Sequence, residues 1–244
     1  MYRRSSCPVA VLAALASLAL AACGRGPGKE YEYEEDIHLS LDGSAVVYVN
    51  ASLPSLVALA GLDLPVDPSA RFDRQRIRRA FESPAVHVGN VTGWRRHRRR
   101  FASIRLEVPD IRKLSLAPPF ARSKFEFQRD GDIYVYRQAL GPSAARQLSD
   151  VGWTGEEMVA VRLHVPSRIE YHNAGAGNLK RGNILVWEQT LEDRHSGVPL
   201  LMEARMQSKS ILYTTLWLFG ASIAVALSVL AGIIFWVVRR KPRP

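Results

Sequence analysis

Three groups of residues in this 244-residue chain are of types that do chemistry. The first is Cys23, preceded by Leu20-Ala21-Ala22 and followed by Gly24. Small residues at a cut site fit a narrow protease cleft, and a cysteine thiol at the new N-terminus can carry a lipid; the pattern resembles the bacterial lipobox and makes Cys23 the lipidation candidate. The second is the run Trp94-Arg95-Arg96-His97-Arg98-Arg99-Arg100-Phe101. Guanidinium groups pair bidentately with phosphate and carboxylate, and flanking aromatic rings suit a lipid interface. Trp94, Arg95, Arg96, Arg98, Arg99 and Arg100 are therefore candidate contacts for an anionic ligand. The same composition also suits a solvated turn whose arginines pair with the acidic segment Glu30–Asp36. The third group is the six histidines, His38, His87, His97, His164, His172 and His195. They show no metal-ligand spacing, and His164, between Leu163 and Val165, reads as an exposed strand position.

Other catalytic patterns are absent. Gly175–Gly182 is glycine-rich but lacks the spacing and the Lys-Ser/Thr ending of a phosphate loop, and no Ser/His/Asp set is discernible. These residues lead to the expectation of a non-enzymatic protein with no metal and no cofactor. An extracytoplasmic enzyme without a recognisable motif is the competing class.

The net charge of +10 suggests a nucleic-acid binder until its distribution is read. Arg3 and Arg4 lie at the N-terminal end, and Arg239, Arg240, Lys241 and Arg243 follow the last apolar stretch; removing these six leaves +4. Residues 71–105 alone carry eleven arginines against Asp73 and Glu82, so the remainder is net negative. The terminal charges are topology signals, and a nucleic-acid partner is not expected.

The elements that position these groups begin with two apolar ends. Residues 1–22 form a short basic start and an Ala/Leu-rich stretch of signal-peptide length. Residues 23–30 read as a flexible tether. At the other end, residues 211–238 contain no charge, enough at about 1.5 Å per residue to cross a ~30 Å hydrocarbon layer. Trp217 and Trp236 would mark its two interfaces, and the basic tail 239–244 its cytoplasmic side. Within this span Gly220, Ala224, Ser228 and Gly232 recur every four residues. Such a row permits close helix packing, by self-association or with a membrane partner, although small residues are common in spans.

Between the ends, residues 31–207 read as one extracytoplasmic domain. Ile37, Leu39 and Leu41, then Asp42-Gly43, then Ala45, Val47, Val49 and Ala51 describe a hairpin. Phe125, Phe127, Asp130-Gly131, Ile133 and Val135 repeat the design. Strands are also expected at 159–165, 184–187 and 200–206, with strand-like segments at 86–91 and 104–108 flanking the arginine run as a loop. Asp67 with Pro68 behind it predicts a helix to about Glu82, and short helical turns are expected near 53–62, 110–114 and 142–149. The class is α+β: an antiparallel sheet built from hairpins, helices on one face, and a single C-terminal transmembrane helix.

Val165-Pro166-Ser167-Arg168-Ile169-Glu170-Tyr171-His172-Asn173-Ala174, followed by Arg181-Gly182-Asn183-Ile184-Leu185-Val186-Trp187, resembles the signature of the LppM-like family, with Ser167 and Ala174 standing where glycines are usual. The resemblance implies a bacterial lipoprotein with a β-rich ectodomain and one C-terminal span, in contact with lipids or glycolipids; it supplies no catalytic residues. The resulting expectation is a membrane-anchored envelope protein whose ectodomain meets anionic lipids or a membrane partner, or a subunit of an envelope membrane complex.

Overall fold

The computed structural model describes residues 29, 31–148, 151–175, 177–180 and 183–239; Cys23, the leader and the tail beyond Arg239 lie outside the described residues. In chain order the elements are β1 (Tyr31–Leu39), β2 (Ala45–Ser52), α1 (Leu53–Ala60), α2 (Arg74–Phe81), β3 (His87–Arg96) and β4 (Arg99–Val108). Two 3-10 turns (Ile111–Leu116 and Pro118–Phe120) lead to β5 (Ser123–Asp130), β6 (Ile133–Leu140), β7 (Met158–His164), β8 (Ser167–His172) and β9 (Leu179–Lys180). The chain ends with β10 (Ile184–Thr190), α3 (Leu191–Ser196), β11 (Leu200–Ser210) and α4 (Ile211–Arg239).

The class is α+β, as the hairpin signals indicate, but the strands form two sheets. One has seven strands in the order β3-β4-β2-β1-β7-β10-β9; the other has four, β5-β6-β11-β8. Both hairpins read from the sequence are present, β1–β2 and β5–β6. Gly43 supplies the positive φ (86°) that the first turn requires. The pairing that local signals do not reveal is β1 with β7, which is parallel and joins strands more than a hundred residues apart. Parallel neighbours need a long crossover, and no short-range pattern marks one.

Alternation sorts the side chains of β1 and β2. Ile37, Leu39, Val47 and Val49 point into the core with Val161, Leu163, Phe125, Phe127 and Tyr136, while Glu34, Asp36, His38, Tyr48 and Asn50 lie on the opposite face. One carboxylate breaks the rule. Glu35 is buried among these residues and accepts hydrogen bonds from Tyr33 Oη and Gln138 Nε2, both at 2.9 Å. Burial nevertheless pushes its carboxyl above the usual range.

Two helical expectations need correction. The helix expected from Asp67 starts at Arg74 instead, because Asp73 caps it by accepting from Arg76 N at 2.9 Å. Asp67 is spent on a turn, accepting from Ser69 N and Oγ. Residues 142–148 form no helix. Ala144 N and Arg146 N instead donate to Leu59 O and Ala58 O, two of the carbonyls that the end of α1 leaves without a helical partner.

α4 is 29 residues long and contains an apolar stretch, Thr215–Trp236, long enough to cross a membrane. It follows β11 without an intervening residue.

Candidate functional site

The arginine run is the tip of a hairpin, not a loop. β3 and β4 pair as far as Arg96↔Arg99, and the turn between them is His97-Arg98. Both turn residues have positive φ, 46° and 62°, the backbone of the two-residue turn that matches strand twist. Glycine or asparagine normally marks such a turn, and neither stands at 97 or 98. Trp94 stacks on Phe101 across the pair (5.4 Å between ring centroids) and stays 42% exposed, and the Arg96 guanidinium lies 4.8 Å over the same Phe101 ring.

The structure divides the candidate arginines. Arg95 and Arg98 are exposed, Arg96 and Arg100 half-buried. Arg95 Nη2 and Arg100 Nε both donate to Pro68 O, at 2.8 and 3.1 Å, so they fasten the 62–73 segment against the hairpin. Arg96 Nη2 donates to Tyr31 O at 3.1 Å. Arg99 must be removed from the set of anionic-ligand contacts, because it is 4% exposed inside the protein. Its Nη2 lies 2.9 Å from Glu32 Oε1 and 3.7 Å from Glu157 Oε1, and its Nη1 donates to Gly152 O. The acidic first strand thus forms an ion pair with one arginine of the run, while Trp94, Arg95 and Arg98 stay exposed.

Strand register locates the tip. His164 on β7 is level with His38, which is level with Val46, Glu107 and, at the edge, His87. Arg99 is eight residues back along β4, roughly 26 Å away at 3.3 Å per residue, and three strand spacings add about 14 Å sideways. After His164 the chain turns through Val165-Pro166, and Ser167 pairs with Ser210, the last residue before α4. Three residues and one strand spacing span at most about 16 Å. The tip and the start of α4 are therefore at least about 14 Å apart, with the basic tip at the far end of the seven-stranded sheet. Exposed Lys209 precedes Ser210 in the chain, and exposed Arg168 follows Ser167, the residue paired with Ser210.

The residues that carry the sequence signature prove to be a latch between strands. Asn173 Oδ1 accepts from Trp187 Nε1 and Glu203 N, both at 2.9 Å, and its Nδ2 donates to Leu201 O at 3.0 Å. Asn183 Nδ2 donates to Ser167 O at 3.1 Å while Asn183 O accepts from Val165 N. Ser167, at a position where glycine is usual, is buried with its Oγ donating to Gln207 O at 2.6 Å. These contacts tie β8 and β10 to β11, and so to the base of α4.

On α4, Gly220, Ala224, Ser228 and Gly232 fall along one row, and nothing lies within 4 Å of a Cβ built on either glycine. Ser228 Oγ donates to Ala224 O at 2.8 Å, a bond inside the helix.

One constellation escaped the sequence reading. His164 faces out of the sheet as its alternation suggests, but it is half-buried and stacked on His38, ring centroids 3.8 Å apart. His164 Nε2 is 2.7 Å and His38 Nε2 3.8 Å from the same Asp36 Oδ1. Burial, then repulsion from His164, lower the His38 pKa, with Asp36 opposing. Asp36 and His38 are two apart on β1, a visible spacing; His164 arrives only through the parallel pairing with β7.

No family model matches the chain, and no curated protein sequence does. Among solved structures, the NMR structure of the folded domain of Mycobacterium tuberculosis LppM is similar, at 13% identity and a TM-score of 0.41, over 75% of this chain and 95% of that one.

Proposed function

We propose that this chain is a non-enzymatic, membrane-anchored envelope protein, held by α4 and by a lipid on Cys23, whose extracytoplasmic domain binds anionic lipids or glycolipids through its basic hairpin tip. The observation that carries the reading is the direct passage of β11 into α4 at Ser210–Ile211. With no linker between sheet and helix, a membrane-crossing α4 confines the four-stranded sheet to the bilayer surface. Arg239 and the basic tail then lie on the cytoplasmic side.

The tip is offered away from that anchoring point, by more than the ~8 Å Debye length of physiological salt. Its guanidinium groups at Arg95, Arg96, Arg98 and Arg100, with Trp94 beside them, suit an anionic headgroup. The test places the full chain in nanodiscs of neutral lipid and measures flotation with added vesicles. Vesicles containing anionic lipid should capture the nanodiscs and neutral vesicles should not, with capture fading as salt rises. Replacing Arg95, Arg98 and Arg100 with Gln should abolish it while Arg99, the structural arginine, is left in place. Capture unchanged by these substitutions would remove the tip from the account.

The row Gly220–Gly232 favours a second reading, in which the protein works as a subunit of a membrane complex through α4. Crosslinking from a cysteine at Ala224 in native membranes tests it, and recovery of monomer alone would exclude it.

A further inference from the structure

We propose that Asp36, His38 and His164 form a site for a transition-metal dication of the zinc class. Each residue offers one ligand atom, and these atoms lie within 4.8 Å of one another. Bonds of about 2.0–2.1 Å to a tetrahedral ion set ligand atoms roughly 3.4 Å apart. The observed spacings to Asp36 Oδ1, 2.7 Å for His164 and 3.8 Å for His38, bracket that value. The two imidazoles are stacked with their planes 18° apart, so binding requires the half-exposed His38 ring to turn out of the stack until both Nε2 lone pairs aim at the ion.

The neighbouring groups support a ligand there rather than a simple ion pair. Asp36 Oδ1 is shielded from solvent yet accepts no aligned hydrogen bond, although His164 Nε2 is only 2.7 Å away. The three residues sit on β1 and β7, adjacent interior strands of the seven-stranded sheet, so their backbone is held from both sides. Tyr48 packs edge-on against the His38 ring at 5.6 Å. Arg162 is opposite Asp36 in register, but its Nε lies 2.8 Å from Glu34 Oε1, which offsets its charge. Two imidazoles and one carboxylate select a borderline metal over magnesium or calcium, which prefer oxygen alone. The His38 side chain is 43% exposed, so a fourth position opens to solvent, where water or an anionic group would complete the coordination.

The test uses the untagged full chain in detergent, stripped with a chelator. Zinc is titrated against a chromophoric chelator, and cobalt(II) uptake is followed by its visible d–d bands. One equivalent of zinc should bind, cobalt should give the intense bands of four-coordinate geometry, and zinc should raise the melting temperature. His38→Gln, His164→Gln and Asp36→Asn should each weaken zinc binding by more than about tenfold, since losing even a group that merely orients a ligand has an effect of that size. His87→Gln and His195→Gln should bind like the parent. Because the three ligand variants are independent, misfolding of one leaves two to decide. Zinc binding equal in parent and ligand variants, or no binding by the parent, overturns the proposal and leaves a hydrogen-bonded histidine pair.

Discussion

Replacing Arg99 with Met probes the part of the hairpin that is structural. The substitution preserves much of the side chain's volume and removes the cation that faces Glu32 (0% exposed side chain) and Glu157 (3%). The two acids are not left equally stranded. Glu157 keeps hydrogen bonds from Thr154 N and Gly155 N at 2.8 and 2.9 Å, whereas Glu32 keeps Trp153 Nε1 at 3.2 Å. Breaking a buried pair by removing one partner costs about 3–5 kcal/mol, and here most of that falls on Glu32. At roughly 2–4 °C per kcal/mol for a domain of this size, the full chain in detergent should melt about 6–20 °C lower. Adding Glu32→Gln to Arg99→Met should return part of the loss, because the uncompensated charge is gone. Arg98→Met, on the exposed turn, should stay within about 0.5 kcal/mol of the parent. Thermal unfolding by near-ultraviolet circular dichroism reads all three variants. An Arg99→Met protein that melts with Arg98→Met, or a Glu32→Gln addition that deepens the loss, would refute the buried-pair reasoning.

Two further outcomes follow from particular residues. Glu35 has a folded pKa above its unfolded value, so ionisation there penalises folding at neutral pH and the penalty disappears as pH falls below the unfolded carboxylate range. Glu35→Gln should therefore stabilise the protein at pH 7 and make no difference near pH 4; urea titrations at both pH values check this, and a variant less stable at pH 7 would show that its two hydrogen bonds outweigh burial. At the turn, His97 and Arg98 both occupy the left-handed region, at about 1–2 kcal/mol per residue for ordinary side chains. The double substitution His97→Asn/Arg98→Gly should raise the melting temperature by several degrees, and a lower value would mean that the native side chains hold the tip.

What was legible in the sequence was what alternation and turn chemistry encode locally. Ile37 and Leu39 against Val47 and Val49, with Gly43 between, gave the first hairpin, and Phe125 and Phe127 with Asp130-Gly131 gave the second. The uncharged stretch after Ser210 gave the apolar helix. The hairpin at 96–99 carries no local signature, because two non-glycine residues make its turn. The division into two sheets rests on where β11 returns, and the histidine–aspartate cluster on β7 lying beside β1; both are long-range pairings with no local signature. Arg99 looked like its neighbours in a basic run, and only the fold reveals that it points inward.

In the proposed topology the domain lies outside the membrane and the residues after α4 lie inside. Single cysteines at Asp132 and Pro244 in intact cells, challenged with a membrane-impermeant maleimide, test this directly. Asp132 is exposed beside the last strand, its carbonyl accepting from Ser208 N at 3.0 Å. The account predicts that Asp132→Cys reacts at once and that Pro244→Cys reacts only after the membrane is opened. Immediate reaction at position 244, or protection at position 132, would contradict it.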